Sequence, residues 1–187
     1  KATNHDVKAV EYYIKDHISN WREVKSLEDR LEFIHFALTS EDVNNIAYGL
    51  MLRDGLEQII LPEANALCYK IKELAHKYKS IPMLASTHGQ PATPTTVGKE
   101  FKVFSSRIGK QLAGLYDFNI FVKLNGATGN LSAHYAAYPE IDWLKFTKDF
   151  IESFNGDRRI KLEQNLVTTQ IEPHDTYAEL FDNMKRL

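Results

Sequence analysis

Residues 86–96, STHGQPATPTT, constrain the fold most, because they carry no charged side chain and cannot be helical throughout. Pro91 and Pro94 exclude a helix interior at their own positions and favour extended backbone at the residues before them. Gly89 permits a turn that other residues resist. Helical patterns lie on both sides, so the sequence predicts a stiff loop between two long helices.

Apolar residues recur at spacings of three and four on both sides of this loop, which is typical of amphipathic helices. The pattern consists of Leu67, Cys68, Ile71, Leu74, Ala75 and Tyr78 before the loop, and Val97, Phe101, Phe104, Ile108, Leu112 and Leu115 after it. Alternation over residues 118–125 predicts a short extended segment. We therefore expect a mainly α fold of long antiparallel helices, with residues 1–187 forming one domain.

Two sequence signals mark the start of helices. Thr39 and Ser40 are followed by two carboxylates, which predicts a helix that begins there. Asn4 or Thr3 is expected to cap the first helix, with the charge of Asp6 favoured in its first turn by the helix dipole. Capping alone accounts for such residues in most proteins, so these positions have a structural interpretation beside any functional one.

Composition excludes several classes of partner. A net charge of −2 over 187 residues gives no basic surface for nucleic acid or anionic membrane. No run approaches the roughly 18 apolar residues that a membrane span needs. The single cysteine, Cys68, is expected to be a buried thiol and fits the reducing cytoplasm. The chain lacks a signal peptide at its start and ends inside a helical pattern, so we expect a piece of a longer protein.

His88, among hydroxyls and an amide, is the main candidate for chemistry, although an ordinary connection between helices remains the alternative. The seven histidines form no HExxH motif and there is no cysteine pair, so a metal site is not expected. No G-x-S-x-G motif supports a serine hydrolase. Hydroxyls and amides near helix N-termini favour an anionic substrate, while a histidine moves a proton.

Five segments, in order along the chain, resemble one known family. They are TNHDVKAVEY (3–12), TSEDVNN (39–45), THGQPATP (87–94), NGATGN (125–130) and QIEPHD (170–175). All five resemble the bacterial-type adenylosuccinate lyases, a family of the fumarase, aspartase and argininosuccinate lyase superfamily. The proline-rich extension after His88 and the QIEPHD segment favour this family over its neighbours.

The resemblance implies the central helical bundle of a cytoplasmic carbon–nitrogen lyase of purine biosynthesis, which needs no cofactor. Such an enzyme eliminates fumarate from adenylosuccinate, leaving AMP, and from the succinyl-carboxamide imidazole ribonucleotide, leaving its carboxamide. The family pattern makes His88 the general acid. It also assigns substrate contacts, which are Asn4, His5, Asp6, Thr39, Ser40, Thr87 and Gln170, with Lys123 and Asn125 as second-rank candidates.

The chain departs from the family pattern at both ends. The general base of the family is a serine on a flexible loop, and no segment after Gln170 matches that loop. The substrate-binding segment that the family carries upstream of Asn4 has no counterpart either. We therefore expect this piece alone to be inactive.

The family also builds each site from three subunits of a homotetramer. Apolar residues at 59–61 cover more than one helical face, which agrees with burial in a bundle or between subunits. Two alternatives remain: another fumarate-releasing lyase of the superfamily, or a helical scaffold without catalysis.

Overall fold

The computed structural model describes residues 4–20 and 22–187, without the side chains of residues 22–25 and 28. It is mainly helical, as predicted. Thr3, one of the two expected caps, lies outside the described residues. The helices are α1 (Asp6–Asn20), a 3₁₀ helix (Arg22–His35), α2 (Ser40–Gly55), a π-helical turn (Leu56–Ile60), α3 (Leu61–Lys77), α4 (Val97–Tyr116), α5 (Ser132–Ala137), α6 (Trp143–Ser153) and α7 (Asp175–Met184).

Within the described residues, four short strands accompany the helices. They are β1 (Pro82–Thr87), β2 (Gln90–Thr96), β3 (Ile120–Val122) and β4 (Leu162–Gln164), and they pair as β1 with β2 and β3 with β4. Strand β3 confirms the extended segment expected over residues 118–125. The chain divides into two compact units, and the prediction of a single domain stays a prediction. The first unit comprises Lys1–Met51, Phe121–Asp157 and Leu162–His174, and the second comprises Leu52–Ile120, Arg158–Lys161 and Asp175–Leu187.

In the second unit, α3 and α4 pack antiparallel. The Asn65 side chain near the start of α3 donates to the Tyr116 hydroxyl at the end of α4, and the Cys68 thiol donates to the Ser105 carbonyl between these ends. Cys68 is buried, as predicted. The core of this unit is apolar and includes Leu56, Leu61, Leu112, Leu115, Phe118, Ile120, Ile160 and Leu180. The long antiparallel helices of the sequence prediction are therefore present.

The stretch predicted as a loop between these helices is a β-hairpin. Strands β1 and β2 pair antiparallel from Pro82 opposite Thr96 to Thr87 opposite Gln90, with an irregularity between Leu84 and Ser86. Prolines are compatible with a strand at a sheet edge, and in a two-stranded sheet both strands are edges. Pro91 and Pro94 therefore exclude helix here, as expected, but they do not exclude pairing.

The base of the hairpin is held by close backbone approach between α3 and α4. The Gly98 N–H donates to the Tyr78 carbonyl and the Val97 N–H donates to the Ile81 carbonyl, both at 3.0 Å. A Cβ atom on Gly98 would lie 2.5 Å from the Lys79 Cα atom, which real contacts do not allow. Only glycine fits this crossing.

In the first unit, the buried carboxylate of Glu11 joins α1 to the 3₁₀ helix. Its oxygens lie 2.7 Å from Lys8 Nζ, 3.0 Å from Lys15 Nζ and 3.3 Å from His35 Nδ1. The hydrogen bond from Lys8 lowers the pKa of Glu11, against the opposing effect of its burial. A carboxylate in the core is thus balanced by the basic groups around it.

Gly98→Ala is expected to destabilise the chain by about 1–3 kcal/mol, because the added Cβ forces the α3 and α4 backbones apart. Gly109→Ala is the matched control, since nothing lies within 4 Å of a Cβ at this helical glycine. That change should stabilise by up to about 1 kcal/mol through helix propensity. Urea unfolding of the two variants measures both effects, and a shift of the same sign in both would contradict the packing argument.

Candidate functional site

The structure gathers four of the predicted substrate contacts at the start of α2, all within the first unit. The Ser40 hydroxyl lies 3.2 Å from His5 Nε2. The Gln170 side-chain amide donates to the Thr39 hydroxyl at 3.5 Å. Since Thr39 and Ser40 are adjacent, His5 and Gln170 approach the same helix N-terminus from opposite ends of the first unit's sequence. We call these four residues the hydroxyl cluster.

The N-terminus of α1 supplies His5, together with Asn4 and Asp6. Helix α1 begins at Asp6, and the Lys8 N–H donates to His5 Nδ1 at 3.3 Å. The prediction that Asn4 caps this helix is wrong, because the His5 ring accepts the backbone N–H in the first turn. A neutral His5 that accepts at Nδ1 carries its proton on Nε2, which then donates to the Ser40 hydroxyl. Asn4, His5 and Asp6 are exposed at this end of the helix.

Next to the hydroxyl cluster, Asp42 and Lys123 form a buried ion pair. Both side chains are 0% exposed, and Asp42 Oδ1 lies 2.6 Å from Lys123 Nζ. The same carboxylate accepts the N–H groups of Thr39, Asn125 and Gly126 at 2.9 to 3.2 Å. Lys123 Nζ also donates to the Gly126 carbonyl at 3.1 Å. Each charge is therefore balanced by its partner and by polar groups.

Asn45, one turn along α2, forms hydrogen bonds with the backbone of Lys123, the residue that follows β3. Its side-chain oxygen accepts the Lys123 N–H at 2.8 Å, and its amide donates to the Lys123 carbonyl at 3.0 Å. This pair of bonds substitutes for a neighbouring strand. The second-rank candidate Lys123 thus has a buried structural position, which the sequence did not reveal.

Asn125, the other second-rank candidate, connects the 125–130 loop to the segment before Gln170. Its amide donates to the Thr168 hydroxyl at 2.8 Å, and that hydroxyl lies 3.2 Å from Asn125 Oδ1. Gly129, at φ +73°, packs so closely on the Thr168 and Thr169 carbonyls that a Cβ would overlap them. Nearby, His174 Nε2 lies 3.4 Å from Glu41 Oε1. The NGATGN and QIEPHD motifs therefore meet at the start of α2.

Thr87 and His88 belong to the second unit, at the tip of the hairpin. His88 has φ +52° and Gly89 has φ +72°, and Thr87 pairs with Gln90 across them. Two central residues with positive φ define a type I′ turn, whose twist suits a two-residue hairpin. Both Thr87 and His88 are exposed.

Left-handed backbone recurs at non-glycine residues of the motifs. Asn4 (φ +47°), His88 (φ +52°) and His174 (φ +61°) all adopt it. Such geometry is uncommon outside glycine and concentrates at sites where the fold imposes a direction on a side chain. Ala37 (φ +55°) and Leu131 (φ +59°), outside the five motif segments, adopt it as well, so positive φ alone does not distinguish the motif residues.

A separate apolar cavity of about 600 Å³ lies in the first unit. Aromatic side chains dominate its lining, which includes Phe33, Phe36, Tyr138, Trp143, Phe146 and Phe150, together with the buried His134. Burial lowers the pKa of His134, and the charge of Asp42 partly opposes this effect. None of the predicted substrate contacts lines this cavity, and its apolar wall does not suit an anion.

Within the described residues, no three His, Cys, Asp or Glu side chains are grouped closely enough to hold a metal ion. None of the described helices has the length and apolar character to cross a membrane.

The sequence pattern of the lyase family matches residues 1–187, and the chain belongs to that family. Among named relatives, adenylosuccinate lyase of Escherichia coli strain K12 is 48% identical over 186 residues. The enzymes of that name from Haemophilus influenzae and Buchnera aphidicola (subsp. Acyrthosiphon pisum) are 48% and 47% identical. These alignments cover 98–100% of this chain but 38–39% of each relative, so the chain spans about two fifths of their length. The resemblance found in the five motifs is confirmed.

Solved structures show the same fold. A fumarate lyase from Mesorhizobium sp. BNC1 superposes with a TM-score of 0.67 at 22% identity, covering 87% of this chain and 38% of that one. A 3-carboxy-cis,cis-muconate lactonizing enzyme from Pseudomonas putida gives 0.65 at 19% identity, covering 87% and 34%. At these identities the comparison establishes the fold alone, and it agrees with the predicted fumarase-type helical bundle.

Asp42→Ala is expected to cost about 3–5 kcal/mol in the free energy of unfolding, because it leaves the Lys123 ammonium buried without its counter-charge. Asp149→Ala removes the acidic partner of Lys145 from an exposed pair and should cost far less. Denaturant unfolding of both variants gives the comparison. Equal losses in the free energy of unfolding would show that the buried pair contributes no more to stability than the exposed pair.

Proposed function

We propose that this chain is the central helical domain of an adenylosuccinate lyase acting in purine nucleotide biosynthesis. The enzyme would release fumarate from adenylosuccinate to leave AMP, and from the succinyl-carboxamide imidazole ribonucleotide to leave its carboxamide. The observation that carries the proposal is 48% identity, across the whole chain, to an enzyme of that name. The proposal requires no cofactor.

The elimination breaks a carbon–nitrogen bond and forms the carbon–carbon double bond of fumarate. A base removes the proton from the carbon beside one carboxylate, and an acid protonates the departing nitrogen. In this proposal His88 is the acid. An imidazole exchanges protons near neutral pH, and its exposure at a hairpin tip leaves it free to meet substrate. The base is a serine supplied from outside residues 1–187.

The substrate carries carboxylates at its succinyl end and a phosphate at its nucleotide end. We assign the carboxylates to Thr39, Ser40 and Thr87, with Gln170 beside them, and the phosphate end to the segment of Asn4, His5 and Asp6. The hydroxyl cluster supports the first assignment, because it lies at the N-terminus of α2, where N–H groups and the helix dipole favour anions. The 3.2 Å approach of His5 to Ser40 supports placing both ends of the substrate nearby.

We further propose a cytoplasmic homotetramer whose sites combine residues of different subunits. Large apolar side chains lie exposed on the second unit, including Ile59 at 64%, Leu67 at 54% and Phe104 at 54%. Leu61, by contrast, is buried within its own unit. Exposed apolar surface of this kind is typical of faces that other subunits cover.

His88→Asn in the full-length protein should lower the rate of fumarate release by about 10²–10⁴-fold, the usual contribution of a positioned acid. His76→Asn is the matched control, since it changes another exposed histidine of the same unit. Steady-state assays with adenylosuccinate measure both. Near-normal turnover by His88→Asn would remove it as the acid, and release by neither variant nor parent would reject the lyase itself.

His5→Ala should mainly raise KM, because the side chain is assigned to binding rather than to proton transfer. His17→Ala, which changes a half-buried histidine of the same helix that contacts Tyr13, should leave KM near that of the parent protein. Initial rates over a range of adenylosuccinate concentrations separate KM from kcat. A loss confined to kcat would contradict the binding role of His5.

A further inference from the structure

We propose that Asp42, Asn125 and Thr168 are positioning residues that set the geometry of Thr39 and Gln170. This inference rests on the proposed function, since it concerns how that substrate site is held. The three residues do not themselves face the substrate in this proposal. They act through a circuit within the first unit that consists of four hydrogen-bonded links and is closed by the backbone from Thr168 to Gln170.

The circuit begins and ends at Thr39. The Thr39 N–H donates to the Asp42 carboxylate, which also accepts the Asn125 N–H at 3.1 Å. The Asn125 side chain bonds the Thr168 hydroxyl at 2.8 Å. Two residues further along the chain, the Gln170 amide returns to the Thr39 hydroxyl at 3.5 Å. Fixing any two members of such a ring restricts the others.

Burial makes the circuit rigid at one end and adjustable at the other. Asp42 and Lys123 are fully buried, whereas the Gln170 and Thr39 side chains meet at an exposed position. The overlap that any Cβ on Gly129 would make with the Thr168 carbonyl shows that the two loops also touch through their backbones. The buried pair therefore fixes the start of α2, and the Asn125–Thr168 bond transmits that position to Gln170.

Thr168 is the member at which the circuit can be opened most cleanly, because it is neither charged nor fully buried. Thr168→Val keeps the shape of the side chain and removes only the hydroxyl. Losing the contacts of the hydroxyl with Asn125, at 2.8 and 3.2 Å, and with the Thr169 carbonyl, at 3.2 Å, should raise KM by about 2- to 10-fold, with kcat near that of the parent protein. A purely structural role would lower the melting temperature and leave KM unchanged.

Two further variants complete the test in the full-length protein. Thr168→Ser restores a hydroxyl and should return KM towards the parent value. Thr128→Val removes a hydroxyl from the same 125–130 loop, but that hydroxyl bonds only locally, to Asn130 at 2.8 Å, so KM should not change. The proposal is overturned if Thr168→Val has the parent's KM, or if Thr168→Ser is as impaired as Thr168→Val.

Amide hydrogen exchange separates this inference from the proposed function. Thr168→Val should speed exchange in the peptides that cover residues 38–45 and 165–174, and Thr128→Val should not. If the parent releases no fumarate yet the exchange difference is present, the lyase proposal fails and the coupling of the two segments stands. If the parent is active and exchange is unchanged in Thr168→Val, the positioning role fails alone.

Discussion

The buried pair of Asp42 and Lys123 is the interaction on which the first unit depends. Removing two charges from water costs several kcal/mol for each ion, and the cost is recovered only when geometry and hydrogen bonding are nearly complete. Here the carboxylate accepts one ammonium and three backbone N–H groups. Those donors come from the start of α2, from the residue after β3 and from the 125–130 loop. The need to satisfy one carboxylate thus joins the start of α2 to residues 123–126.

The two units hold their motif residues by different physical means. In the first unit, a network of polar side chains surrounds the start of α2, and the hydroxyl cluster lies at its edge. In the second unit, backbone geometry takes this role, because the type I′ turn fixes the direction of His88 through positive φ angles at His88 and Gly89. A network tolerates little loss of polarity, whereas a turn of this kind tolerates little change in its residue types.

Much of the fold could be predicted because periodicity and breakers act locally. The α3 and α4 patterns, the start of α2 at Ser40 and the extended segment at β3 all follow from neighbouring residues. The sequence does not predict the hairpin, because proline usually indicates irregular structure, although it is compatible with edge strands. From its neighbours, Asp42 is predicted only to favour the start of a helix. Its pairing with Lys123, 81 residues away, leaves no local signal in the sequence.

The discontinuous make-up of the first unit has a consequence for the order in which the chain can fold during synthesis. Helices α3 and α4 and their hairpin are neighbours in sequence, so their contacts close short loops at small entropic cost. The carboxylate of Asp42 can instead find its partners only after residues 123–126 have been synthesised. The circuit through Thr168 and Gln170 can close only after those later residues have been added. Until those residues leave the ribosome, a nascent chain carries an unpaired acidic group destined for its interior, and the first unit stays incomplete while α3, α4 and their hairpin assemble.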